Sequence, residues 1–278
     1  MRDQRKALAY GLATVLMWST VASAFKLSLR HLDPAQLLLW SSLVSTLVML
    51  AALALRGRLF LLAAYGRREW LRALGFGLLN PFIYYLILFW AYDLLPAQEA
   101  QPLNYTWAIT LALLSVPILG HRLSWRDLAA TLVCWIGVIV ISTRGDLAGL
   151  SFASPLGVGL ALGSTVIWAV YWLFAARDDR DPVAALAMNF LCSLPFTLAW
   201  TCLVSTPLPG DWRGRAGAAY VGVFEMGVTF ITWLTALRLA NNASQVGNLI
   251  FISPFVSLIF IRFVVGEAIL PSTLAGLC

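Results

Sequence analysis

Nine apolar stretches follow one another along this chain, at about residues 7–29, 34–55, 70–92, 97–119, 125–142, 154–175, 182–204, 216–237 and 243–265. Each comes close to or exceeds the roughly 20 residues that a helix needs to cross the hydrocarbon core of a bilayer. Inside hydrocarbon no water can satisfy the backbone, so consecutive stretches of this kind must be helices that satisfy it internally. The connections are short, and none can fold as a separate soluble domain. Only 12% of the residues are charged and 60% are hydrophobic, against roughly 25% charged in a soluble domain. The expected fold is an all-α integral membrane protein. A tenth apolar stretch starts near Ile269 and is cut off at Cys278, which gives ten transmembrane helices with the last one truncated.

Most of the nineteen lysines and arginines fall on the N-terminal side when the loops are assigned to alternate faces. By the positive-inside rule the N-terminus is cytoplasmic, and with ten spans so is the C-terminus. The expected location is the inner, or plasma, membrane. Arg2, Arg5 and Lys6 precede an apolar run ending in Ala22–Ser23–Ala24, which has the outline of a cleavable signal peptide. A later match to this run makes it a retained first span. The net charge of +6 is spread singly between apolar blocks, a pattern that sets topology rather than binds nucleic acid. Cys134, Cys192, Cys202 and Cys278 form no CxxC and imply neither a disulfide nor a metal site.

The two halves of the chain echo one another. Residues 17–36, MWSTVASAFKLSLRHLDPAQ, match 167–184, IWAVYWLFAARDDRDPVA, with Trp18 on Trp168 and Asp33–Pro34 on Asp181–Pro182. Residues 90–95 match 235–240, and 119–132 match 265–278, all at an offset of about 145 to 150. The repeats are expected at 1–146 and 147–278, with five spans each. An odd number of spans forces the second copy into the membrane upside down, giving an inverted-topology repeat of the kind found in many secondary transporters.

One residue resists this apolar background. Glu225, in VGVFEMGVTFITW, has no basic residue within ten positions on its C-terminal side. It aligns with Asn80, and both fall about ten residues into their spans, roughly 15 Å of rise and close to the bilayer midplane. A carboxylate facing lipid there costs at least about 2.5 kcal/mol, so Glu225 is expected to face a cavity. Tyr84, one turn beyond Asn80, joins it as a candidate. Gln101, Asn104 and Tyr105 share a helical face in the fourth span. Asn248 in the ninth span, Trp18 and Ser19 in the first, and Trp168 and Tyr171 in the sixth complete the set.

Other polar residues have simpler explanations. Asp33 and Asp181 each precede a proline, as a helix N-cap does. Asn242 and Gln245 form a capping-box-like pair. Glu99 suits a helix N-terminus, and Glu267 a helix end. Pro254 is expected to distort the ninth helix. Lys26, Arg30 and Arg262 are expected to snorkel to the outer interface. Gly159 and Gly163 make a GxxxG spacing that favours close helix contact. Enzyme chemistry has little to work with: His31 and His121 both lie in connections, no HExxH occurs, and the aspartates sit near helix ends.

The pattern resembles the drug/metabolite transporter superfamily, in its branch of two five-helix EamA repeats. The resemblance is carried by MWST (17–20), LILFWAYDLLPAQEA (86–100) and LGHRLSW (119–125), and by ITWLTALRLANNASQVGNLIFISPF (231–255) and VGEAIL (265–270). The first repeat departs from the family pattern, with Ala108 and Gly120–His121 where the second has Pro254 and Gly266–Glu267. The WST triplet together with LNYTW (103–107) is most similar to bacterial aromatic amino-acid exporters. The resemblance implies a basket of helices around a central cavity lined by spans 1, 3, 4, 6, 8 and 9, which hold the candidates named above. It implies export of amino acids, aromatic or otherwise neutral, by alternating access. The partners are then a small-molecule substrate, the lipid bilayer and protons, with no cofactor. Export of another small metabolite or a cationic drug is the alternative, ahead of an intramembrane enzyme or a receptor or scaffold.

Overall fold

Among the described residues the helices run α1 Gln4–Ser28, α2 Pro34–Leu55, α3 Arg67–Leu94, α4 in two pieces (Ala97–Tyr105 and Trp107–Leu119), α5 Trp125–Ser142, α6 Pro155–Ala175, α7 Pro182–Val204, α8 Trp212–Leu239, α9 over 243–265 and α10 Pro271–Leu277. A single turn, Phe60–Ala64, lies between α2 and α3. The computed structural model describes residues 3–119, 125–146, 152–175, 177–208, 210–241 and 243–278, and among these no strand occurs. Seven helices are long and apolar enough to cross a membrane: α1, α2, α3, α6, α7, α8 and α9. These seven are counted among the described residues alone. The fourth expected span is broken at Thr106, and the fifth is an 18-residue helix, Trp125–Ser142.

Polar ends fix how the helices pair. The Asp33 carboxylate accepts the Ala35 and Gln36 amides, each at 2.9 Å, and Asp181 accepts Val183 and Ala184, each at 3.1 Å. Both aspartates are the caps expected from sequence, and each also reaches across to the partner helix. Asp33 accepts the Ser205 hydroxyl just past α7, and Asp181 pairs with Arg58 just past α2 at 2.9 Å. The start of each helix thus lies at the end of the other, so α2 and α7 pack antiparallel. In the same way Asp3 N–H donates to Leu239 O at 2.8 Å and His31 meets Asp211 at 2.7 Å, setting α1 antiparallel to α8. Helix α6 runs antiparallel to α3: Leu95 packs on Gly157 at one end, and Arg180 bonds Glu69 O at the other.

Close crossings depend on a few small residues. A Cβ on Gly77 would stand 2.2 Å from the Asn189 carbonyl oxygen, so α3 touches α7 backbone to backbone. The expected GxxxG contact is not formed: no atom lies within 4 Å of a Cβ built on Gly159 or Gly163. The core is one continuous cluster rich in aromatic rings, such as Phe25 between Phe89 and Tyr92, at centroid distances of 4.9 and 5.0 Å.

Four helices are broken near mid-depth. In α3 a π segment spans Leu78–Ile83, and Asn80 has extended angles of φ −144° and ψ 117°. Pro81 explains this, since proline lacks an N–H, crowds the preceding turn and pushes the residue before it out of the helical region. In α8 the helix stops at Phe224 and resumes at Val228 through Gly227, at φ −101° and ψ −90°. A Cβ on Gly227 would lie 2.7 Å from the Gly222 carbonyl oxygen. Helix α4 breaks at Thr106, whose hydroxyl turns back to Leu103 O. In α9 the turn before Pro254, Asn248–Ile252, is 3-10 rather than α, the distortion expected of that proline. The breaks at Asn80 and Glu225 occupy aligned positions in helices of equal length, 28 residues each.

Candidate functional site

Polar side chains lie beside the breaks in α3, α4 and α8, among them Asn80, Asn104 and Glu225. Around them lies a cavity of about 50 Å³. Seven of the sequence-chosen residues line it: Trp18, Tyr84, Gln101, Asn104, Tyr105, Trp168 and Glu225. Three others stand off the wall. Ser19 lies behind it, donating to Ser253 Oγ at 3.2 Å, and Ser253 in turn pairs with the Tyr105 hydroxyl at 2.7 Å. Asn80 is wholly buried and makes no hydrogen bond of normal geometry, with the Tyr171 hydroxyl close by. Its extended backbone rotates it away from the face of Tyr84, so the one-turn spacing that paired them in sequence does not apply. Tyr171 points to a second cavity. The side chain of Asn248 and the whole of Asn242 lie outside the described residues.

The remaining wall comes from residues the sequence reading passed over, chiefly Phe25, Leu88, Tyr92, Trp107 and Ile250. Helical spacing carried the signal for three of them. Phe25 is seven residues from Trp18, and Leu88 and Tyr92 are four and eight from Tyr84, so they continue the same faces. Trp107 follows the Thr106 break, where that rule fails.

Polar contacts hold the wall in place. Asn104 Nδ2 donates to Ser164 Oγ at 3.0 Å and to the Tyr84 hydroxyl at 3.3 Å, linking α3, α4 and α6. The Tyr84 and Trp168 rings lie 4.5 Å apart. Glu225 is buried, and its Oε1 accepts the Tyr85 hydroxyl at 3.0 Å. Among the described residues no lysine, arginine or histidine pairs with it. Three buried groups on the wall have no hydrogen-bond partner: the indole N–H of Trp18, that of Trp168, and the side-chain oxygen of Gln101. Two donors, an acceptor and a carboxylate therefore belong to residues that line a space walled by aromatic rings, a set of residue types that can recognise a small solute carrying both charge and apolar surface.

Ordered polar contacts lie beyond the cavity at both ends of the surrounding helices. Toward the end of α6, Tyr171 lines a second cavity of about 90 Å³ with Asn189, Asp178 and Arg180. Arg180 is buried, holds Asp178 at 2.5 Å, donates to Asn189 Oδ1 at 3.3 Å and to Glu69 O at 3.2 Å, and faces the Phe76 ring. Burial works against the Asp178 charge, but hydrogen bonds from Arg180 and its positive charge outweigh it and hold this loop carboxyl below the ordinary carboxylate range.

Toward the other face Lys26 does not snorkel as expected. It is partly buried, and its Nζ donates to Tyr92 O at 2.6 Å and Leu95 O at 2.7 Å, the free carbonyls at the end of α3. Glu267, from beyond α9, accepts the Ala97 and Gln98 amides at 2.9 and 3.2 Å and so caps α4. Glu99 lies in the first turn of α4 as expected, and pairs with Arg144 at 2.7 Å.

Known proteins resemble this chain. The sequence model of the EamA-like transporter family matches the chain twice, over residues 5–143 and 155–278. The aromatic amino acid exporter YddG of Ancylobacter novellus is 26% identical over 99% of this chain and 94% of its own length. A protein of Streptantibioticus cattleyicolor named "Probable terminal-alkyne amino-acid exporter" is 26% identical over 69% of this chain and 64% of its own. A crystal structure with 23% sequence identity superposes with a TM-score of 0.71, covering 99% of this chain and 93% of that one, which is a likeness of fold. This chain is a multi-pass membrane protein and belongs to the EamA-like transporter family.

Proposed function

We propose that the chain is a secondary transporter that exports amino acids, aromatic or otherwise neutral, across the inner membrane by alternating access between two inverted halves. The observation that carries this reading is the central cavity itself. Glu225 offers a carboxylate to a substrate ammonium, unpartnered indole N–H groups of Trp18 and Trp168 are free for a substrate carboxylate, and the rings of Tyr84 and Trp168 flank the space. Names of two relatives as amino-acid exporters agree with it. Antiparallel pairing of α1 with α8, α2 with α7 and α3 with α6 supports two halves facing opposite ways. The proposed halves are 1–146 and 147–278, with the N-terminus and C-terminus cytoplasmic.

A cavity of about 50 Å³ is far below the roughly 300–1,000 Å³ of small-molecule pockets. With both ends tied shut, this is an occluded state, and loading requires one end to open. The Arg180–Asp178 pair closes the end where α6 finishes, and the Lys26 and Glu267 contacts close the other. Glu225 is the group that takes up a proton when the ammonium leaves, which would couple flux to a pH gradient.

The test is radiolabelled amino-acid flux into liposomes holding the purified protein, wild type beside Glu225→Gln, with and without a pH gradient. Wild-type flux that the variant loses supports the reading. If the wild type moves no amino acid under either condition, the substrate assignment falls. The acid without a basic partner, set among aromatic rings, favours a second reading, export of organic cations. Inhibition by a lipophilic quaternary ammonium ion, together with no amino-acid flux, would select it.

A further inference from the structure

A groove of about 500 Å³ runs along the outside of the bundle between α1, the first half of α8 and the end of α9. It is separate from the central cavity and shares no residue with it. The inner end is closed by the Thr20 and Tyr220 hydroxyls, 2.7 Å apart. The walls are apolar, formed by Ala24, Leu27, Phe260 and Val264. The outer end carries Arg30, His31 and Arg213.

We propose that this groove binds one anionic glycerophospholipid, with an acyl chain along the apolar walls and its phosphate at Arg30 and Arg213. Length is the first argument. From Thr20 to Arg30 the chain climbs about 15 Å at 1.5 Å per residue, which is half of a hydrocarbon core roughly 30 Å thick. The groove therefore reaches from mid-membrane to the headgroup level of one leaflet.

Charge is the second argument. Arg30 is exposed, donates to Val265 O at 2.9 Å and has no acidic partner among the described residues. Asp211 is the acid at this end, and its carboxylate accepts from His31 at 2.7 Å and from the Arg213 amide at 2.9 Å. Two arginines facing one carboxylate leave the end positive even with His31 neutral. Arginine is well suited to phosphate because its planar fork offers paired donors.

The experiment is native mass spectrometry of the full chain released from vesicles of phosphatidylglycerol or of phosphatidylcholine. Wild type is expected to retain the anionic lipid in preference to the zwitterionic one. Arg30→Gln with Arg213→Gln should reduce that preference roughly tenfold or more, as loss of two basic groups at a lipid surface implies. Ala24→Trp, which fills the groove, should lower retention of both lipids, with far-UV circular dichroism checking that the variant is folded. Equal retention of the two lipids by wild type, or unchanged preference in the double arginine variant, overturns the proposal. Displacement of the lipid by inorganic phosphate also overturns it, since the site would then read a free anion.

Discussion

The Tyr85 hydroxyl donates to the Glu225 carboxylate at 3.0 Å, across the interface between α3 and α8. Tyr84, its neighbour, faces the cavity and Asn104 instead. Two consecutive tyrosines, their rings 4.7 Å apart, thus do different work, one holding the buried acid and the other forming the wall. Tyr85→Phe keeps the ring and removes the donor. Leaving a buried carboxylate without its partner costs about 1–3 kcal/mol. Amino-acid flux in liposomes is expected to fall about five- to 100-fold, with the protein still folded by thermal unfolding in detergent. Unchanged flux would mean that the charge on Glu225 plays no part in transport.

Arg180 and Asp178 tie the loop after α6 to α3 and α7. Asp178→Asn removes the charge and leaves a buried arginine without its counter-ion, a change that typically destabilises by about 3–5 kcal/mol. The strain is expected to appear locally, as opening of the cavity beside Tyr171. A spin label at Ala185, on the wall of that cavity, should become more mobile in the variant. A label as immobile as in the parent would show that the pair does not hold this end shut.

The pH response of that pair has a definite sign. Asp178 is held below its ordinary value of 3.8 by Arg180. A carboxylate with a lowered folded-state value stabilises the fold above the unfolded value and loses that contribution as pH falls through the folded one. The label at Ala185 should therefore keep constant mobility from about pH 8 down to about pH 5, and loosen only in more acid solution, below about pH 4. Loosening near neutral pH would show that another group controls the closure.

Gly77 meets the Asn189 carbonyl where α3 crosses α7. Gly77→Val must push these backbones apart, an overpacking penalty of typically about 1–3 kcal/mol. Thermal unfolding in detergent should show a lowered midpoint. Gly159→Ala, at a site with open space around it, should leave the midpoint nearly unchanged and serves as the control.

Much of the cavity wall was legible because helical geometry is local. Gln101, Asn104 and Tyr105 face one cavity because residues three and four apart share a face, and Trp18, Trp168 and Glu225 followed from polar or aromatic character in an apolar run. That rule also misplaced Asn80, because it assumes an unbroken helix and Pro81 breaks this one. Lys26 was expected at the interface because lysine is long and hydrated, yet free carbonyls at the end of α3 draw it inward. No periodicity in α1 could announce a helix end brought beside it by folding.

The sequence by itself determined that this chain is a set of apolar helices, that Pro254 distorts one of them, and which aspartates cap them. These properties depend on transfer from water and on backbone sterics, which act over a few residues. Tertiary structure alone decided that Tyr85 and not Tyr84 meets Glu225, that Glu267 caps a helix in the other half of the chain, and that Arg180 is buried against Asn189. Those contacts join residues far apart in the chain, and side-chain direction at a broken helix is set by the neighbours that pack against it.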